Sequence, residues 1–244
     1  MTALELAGEN TLAAASGYRA HVYWADGLQQ VEKDVSLQGM QLQIGQTEAD
    51  LPRSILTPEA TRKVLRPVLE KKFHVVVANP PYITEKDKAR KKYHKEKIGR
   101  PKRARYVSAH RQYPLGSPFT ERCFQLSVKK GLVGLINSNS FAKREHGTKL
   151  VEEVLARKNL ILLVDTSGAY IPGHGTPTIL LFVRNQPPTG TTFTAVLGKK
   201  GEPSSLNDGS KGKVWRSILQ GWNKPGFNST SVSYTHLTLP TKCW

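Results

Sequence analysis

The stretch Phe73-His74-Val75-Val76-Val77-Ala78-Asn79-Pro80-Pro81-Tyr82 decides the reading of this chain. Its first six residues are a short, β-branched apolar run, which predicts a buried strand. The next four form a stiff shelf at that strand's carboxyl end, where open α/β sheets place their ligands. Two successive prolines restrict the backbone and aim its carbonyls. An Asn side chain, a fixed carbonyl and an aromatic ring suit a flat base that carries an exocyclic amino group. An ordinary strand-ending turn would use the same residue types.

The chemistry such a shelf can perform is specific. The exocyclic nitrogen of adenine is a poor nucleophile, because its lone pair is delocalised into the ring. Acceptors aimed at its two N–H bonds favour pyramidal nitrogen and stabilise the positive charge that develops as a methyl group arrives. The side-chain oxygen of Asn79 and the carbonyl of Pro80 supply such acceptors, with Pro81 holding the second in direction. Tyr82 supplies a stacking face for a base turned out of a duplex, and one stacked base contributes on the order of 1–3 kcal/mol.

On these residues the chain resembles the amino-methyltransferases that modify adenine at N6. More narrowly, it is similar to the PglX methyltransferases of type-2 BREX (phage growth limitation) defence systems. Further stretches carry the narrower likeness: Ser138-Asn139-Ser140-Phe141-Ala142-Lys143-Arg144-Glu145, Asp165 through Thr178, Gly201-Glu202-Pro203, and Lys211 through Trp215. The resemblance covers roughly residues 1–222. It implies S-adenosylmethionine as methyl donor, Asn79, Pro80, Pro81 and Tyr82 at the target adenine, and Asp26 and Asn79 toward the donor. It also implies double-stranded DNA as substrate, with other defence-system proteins as possible company. Asp26 lies just past a predicted strand, in Ala25-Asp26-Gly27-Leu28, where a plain Asx turn is the competing reading.

Charge points the same way. The 244 residues carry a formal net charge of +17, which favours a polyanionic partner. Eleven cations, Lys86, Lys88, Arg90, Lys91, Lys92, Lys95, Lys97, Arg100, Lys102, Arg103 and Arg105, fall in one run with only Asp87 and Glu96 to oppose them. The run reads as a basic loop directly after the shelf, placed to meet DNA phosphates; a solvated patch is the alternative. His174, between two glycines in Tyr170 through Pro177, joins it as a candidate phosphate or base contact, or serves only a tight turn. Two cysteines without metal-like spacing support neither a disulfide scaffold nor a metal site. The lack of any membrane-length apolar run implies a cytoplasmic protein with no membrane partner.

Periodicity predicts helices at Met1–Ala15, Thr57–Glu70, Pro118–Lys130 and Lys143–Arg157, and strands at Ala20–Trp24, Phe73–Ala78, Leu132–Asn137, Leu160–Val164 and Thr178–Val183. The polar stretch Gln29–Arg53 reads as loop, and Asn139 as the cap of the helix after it. Alternation of strand and helix predicts an α/β fold with a parallel or mixed, Rossmann-like sheet. The short connection before Thr178 suits an antiparallel strand there. No glycine-rich turn precedes Asp26, so the expectation is a catalytic domain over 1–197 that lacks its first strands, and inactivity when isolated. Residues 198–227 read as the start of an appended segment. Residues 228–244 read as a non-native tail, because Ser231 through Thr241 looks like translated adapter sequence. Two further readings share the shelf: a non-catalytic DNA-binding module, and a methyltransferase acting on another planar amide or amine.

Overall fold

The computed structural model describes residues 26–28, 30, 68–98, 102–169, 175–197, 208–221 and 229–233. In chain order these form β1 (Phe73–Ala78), α1 (Lys88–Lys95), β2 (Lys97–Ile98), β3 (Arg103–Ala104), α2 (Gly116–Leu126), β4 (Ser127–Ser138), β5 (Asn159–Asp165), β6 (Thr178–Arg184), β7 (Thr192–Leu197), α3 (Lys213–Gly221) and β8 (Ser229–Ser233). The main sheet has the order β1-β4-β6-β5-β7-β8. β1 runs parallel to β4 and β5 parallel to β7, while β6 is antiparallel to both β4 and β5. The expected α/β class, mixed sheet and antiparallel strand at Thr178 are therefore all present.

Side chains alternate across the strands, so the sheet has two apolar faces. On one, Val133, Leu135, Leu160, Leu163, Ile179, Leu181 and Val183 pack with Cys123 and Phe124 of α2 and with Leu150, Val151, Val154 and Leu155. On the other, Val214 and Ile218 of α3 cover Val164 and Val196. The span expected to begin an appended segment thus contributes a helix to this sheet. Within the expected tail, Ser229–Ser233 pairs antiparallel with β7. At the far end of the described sheet, Val75 and Val77 of β1 are exposed, where the sequence predicts a buried strand.

Three boundaries differ from expectation, each for a local reason. α2 stops at Leu126 because Ser127 already pairs with Phe73, and Lys130 then takes a left-handed φ of 66° that offsets the register with β1. Lys143–Arg157 is wound as 3-10 and π turns, not as one α-helix. A Cβ on Gly147 would lie 1.8 Å from the Phe141 carbonyl oxygen, so the chain doubles back there. The apolar spacing is nonetheless real, since the π turn brings Leu150, Val151 and Val154 onto the sheet. The basic loop is a correction too, because much of it is the helix α1, capped by the Asp87 side chain accepting from the Arg90 N–H at 2.8 Å.

The predicted elements in 1–24, the loop 31–53 and most of the helix 57–70 lie outside the described residues, as do Arg100, Tyr170 and His174.

Candidate active site

β1, β4 and β5 run in one direction, so their carboxyl ends meet at one edge, joined there by the start of β6. Ala78 pairs with Leu135, which sets Asn79 beside the Ile136–Asn137 end of β4. Asn79 and Pro81 are exposed, Pro80 is buried and Tyr82 is half-buried. The Tyr82 hydroxyl donates to Asn79 Oδ1 at 2.9 Å, so the amide oxygen already has a donor that an incoming amine would displace. Burial raises the pKa of Tyr82, which keeps the phenol a donor.

The shelf is held from downstream. Leu115 N–H donates to the Ile83 carbonyl at 2.9 Å, Glu85 N–H to that of Tyr113 at 3.3 Å, and Thr84 bridges to Pro114. That partner segment runs straight into α2, whose first turn is riveted to the end of β4. The buried Asn137 Nδ2 donates to the Gly116 carbonyl at 3.3 Å and to Thr120 Oγ1 at 3.1 Å. The approach is so close that a Cβ on Gly116 would lie 2.4 Å from Asn137 Oδ1. A polar wall continues from β4 to β5. Asn139 Nδ2 donates to Ser167 Oγ at 2.7 Å, Asp165 Oδ1 accepts from the Ser167 N–H, and Thr166 Oγ1 donates to the Thr178 carbonyl. The capping role read for Asn139 belongs to Ser138, whose Oγ accepts from the Ser140 N–H.

Asp26 is half-buried, and its Oδ1 accepts from the Leu28 N–H at 3.0 Å, an Asx turn. The turn does not stand apart from the shelf. Gly27 backs onto the Phe119 ring of α2, which a Cβ there would meet at 3.1 Å, and Arg122 Nε donates to the Gly27 carbonyl. Leu28 packs with Tyr106, Ala109, Tyr113 and Leu115, and Leu115 is bonded to Ile83. Asp26 and Asn79 are therefore tied to the same loop before α2, although 53 positions separate them in the chain.

The basic segment divides in two. Lys86, Lys88, Lys92, Lys95, Lys97, Lys102 and Arg103 are exposed, with Arg90 and Lys91 half-buried. Arg105 is buried; its Nη2 bonds Glu96 at 2.7 Å and its guanidinium lies 4.1 Å from the centroid of the Tyr93 ring. That cation closes the β2–β3 hairpin onto α1 instead of facing solvent. Inside the same subassembly, His94 Nδ1 and the Tyr113 hydroxyl share a hydrogen bond of 2.9 Å. Burial, above all, pushes His94 down to about 4; Arg90 and Arg105 add to this and Asp26 opposes it. Glu85 is buried beside them, with Oε1 accepting from the Asp87 N–H and Oε2 meeting no hydrogen-bond partner among the described residues. Sequence reasoning missed Glu85, and it missed Asn137 because the partners of its amide, Gly116 and Thr120, lie in a separate element with no local pattern to mark them.

Comparison with known proteins gives the family. The family described as Eco57I restriction-modification methylase matches residues 14–171, and the chain belongs to that family. The adenine-specific methyltransferase PglX of Streptomyces coelicolor is 37% identical over 254 residues, covering 97% of this chain and 20% of that protein. The type II methyltransferase M.BstVI of Geobacillus stearothermophilus is 31% identical over 97 residues, covering 38% of this chain and 16% of that protein. The chain thus spans a fifth or less of the length of these relatives. Among solved structures, a type I restriction-modification methyltransferase subunit from Streptococcus thermophilus covers 68% of this chain and 35% of its own, at 8% identity and a TM-score of 0.45. A DrdV–DNA complex covers 76% of this chain and 20% of its own, at 14% identity and a TM-score of 0.47. Among the described residues, no helix is long and apolar enough to cross a membrane.

Proposed function

We propose that this chain is the target-base side of an adenine-N6 DNA methyltransferase acting in the cytoplasm, within a phage-defence system and alongside other defence proteins. The observation that carries the reading is the Asn79–Tyr82 shelf at the carboxyl end of β1, braced by the loop before α2 and flanked by the polar ends of β4 and β5. Asn79 Oδ1 and the Pro80 carbonyl accept from the two N–H bonds of the target amine. Both act where charge develops, which is the most effective place for a fixed dipole. Tyr82 stacks on the base and exchanges its bond to Asn79 for the amine.

S-adenosylmethionine, when bound, supplies a methyl group on a positively charged sulfur. The donor chemistry of the Asp26 turn fits such a group. A half-buried carboxylate sits beside a glycine whose missing Cβ lets the Phe119 ring pack against the turn. Asp26 and Asn79 would hold the donor on this chain. The exposed cations of α1 and the β2–β3 hairpin meet DNA phosphates, which adds affinity without reading sequence. On this reading residues 1–197 are catalytic domain and 198–227 begin a downstream segment.

The test is Asn79→Ala in the intact protein, following transfer of a labelled methyl group to duplex DNA. The reading expects turnover to collapse with DNA affinity nearly unchanged. A parallel loss of both would make the shelf a binding element instead.

A further inference from the structure

A second cationic surface lies mostly outside the basic run and exists only in three dimensions. Its centre is Arg111, exposed, with a left-handed φ of 55°. An L side chain adopts that conformation at a cost that glycine avoids, and an exposed arginine does not recover the cost by packing. The turn holding Arg111 leads directly into Tyr113–Leu115, the segment bonded to the continuation of the shelf. Lys95, at the end of α1, donates to the Arg111 carbonyl at 3.2 Å and lies 5.7 Å from the Tyr113 ring centroid. His110 is pushed below its ordinary pKa by partial burial and by Lys149, Arg111 and Lys95, with Glu153 opposing. Three separate stretches of chain therefore converge four basic side chains beside the shelf.

Two carboxylates hold this surface at rest. The Arg111 guanidinium bonds Glu145, and Lys149 Nζ lies 3.5 Å from Glu153. All four of these side chains are at least 43% exposed. Exposed pairs of this kind contribute little, so a stronger anion can replace the carboxylates. Phosphate accepts paired donors from a guanidinium in a planar fork, and the exposed cations of α1 continue the surface toward the shelf.

We propose that Arg111, Lys149, Lys95 and His110 form a phosphate-binding surface for the DNA strand flanking the base held at Asn79, with Glu145 occupying Arg111 until DNA replaces it. The proposal rests on the DNA-methyltransferase reading above and adds the residues that grip the strand. A basic run read from sequence stops at Arg105 and omits three of these four.

The test measures binding of the intact protein to a labelled duplex across a salt series. Arg111→Gln combined with Lys149→Gln should weaken binding roughly tenfold at moderate salt and flatten the log–log salt slope by about 2. Glu145→Gln has the opposite sign, because freeing Arg111 should tighten binding a few-fold. If the Arg111–Glu145 pair were only a structural clasp, Glu145→Gln would weaken binding as the double variant does, and the proposal would fall. Unchanged affinity and slope in the double variant would also overturn it. A wild-type protein that binds DNA while the variants do not differ sinks this surface alone. A wild-type protein with no affinity for DNA sinks the functional reading and this surface together.

Discussion

The shelf and the basic segment adjoin in the chain and behave in opposite ways. Asn79–Tyr82 is a local element: its four residues adjoin in the chain, and even its internal hydrogen bond spans three positions. The segment from Lys86 to Arg105 is uniform in composition but splits on folding into an exposed cationic face and a clasp in which the buried Arg105 reaches the exposed Glu96. A motif whose parts are contiguous survives the passage to three dimensions unchanged. A charge run does not, because each cation's role depends on which side of a helix or hairpin it occupies.

The sharpest way to break this comparison is Asn79→Ala. Losing one acceptor that acts only as charge develops should cost about 10²–10³ in kcat, measured as labelled methyl transfer by the intact enzyme. A change confined to KM would assign Asn79 to ordinary substrate binding.

The next largest effect concerns the buried half of the basic segment. His94 is neutral in the folded protein down to about pH 4, whereas an unfolded histidine takes up its proton near pH 6.5. Below that value the unfolded state binds more protons, so stability should fall as pH drops from about 6.5 towards 4 and level off beneath. The loss from this group is on the order of 3 kcal/mol, read by denaturant unfolding across that window. His94→Phe should flatten the profile, and an unchanged profile would remove His94 as its source.

Arg105 and Lys88 offer a paired test of the split itself. Arg105→Gln should destabilise by about 2 kcal/mol, because it removes a buried guanidinium that bonds Glu96 and packs on Tyr93, and should leave the salt dependence of DNA binding unchanged. Lys88→Gln should do the reverse, with thermal stability within about 0.5 kcal/mol of the parent and a salt slope lower by about 1. Equal slopes in the two variants would erase the distinction.

The smallest effect belongs to Tyr82→Phe. It keeps the stacking ring and removes the hydroxyl that occupies Asn79 Oδ1 at 2.9 Å. A fluorescent base analogue at the target position should be taken up a few-fold more readily, since the amide oxygen no longer exchanges one donor for another. Weaker uptake would show that the hydroxyl helps to hold the base.

Much of the fold was legible because its signals are local. Phe73–Ala78, Leu160–Val164 and Thr178–Val183 are apolar β-branched runs and lie within strands, and the likeness to adenine methyltransferases rests on contiguous residues that the family match supports. Other elements escaped. β7 has no expected counterpart and α3 falls in the span read as an appended segment; β7 is secured by pairing with β5, and α3 by packing of Val214 and Ile218 on Val164 and Val196. The stretch after Ala142 has helical spacing, but its winding follows the close approach of Gly147 to the Phe141 carbonyl, where no Cβ would fit.

By itself, then, the sequence determined the identity of the shelf, the alternation of strand and helix, and the excess of positive charge. Those are properties of neighbouring residues, governed by backbone sterics and short-range periodicity. Tertiary structure decided the rest: that Arg105 turns inward while Arg111 turns out, that Asn137 pins α2 against β4, and that Asp26 and Asn79 share one bracing loop. Such relations depend on which distant segments a sheet edge brings within hydrogen-bonding reach, and no local spacing encodes that distance.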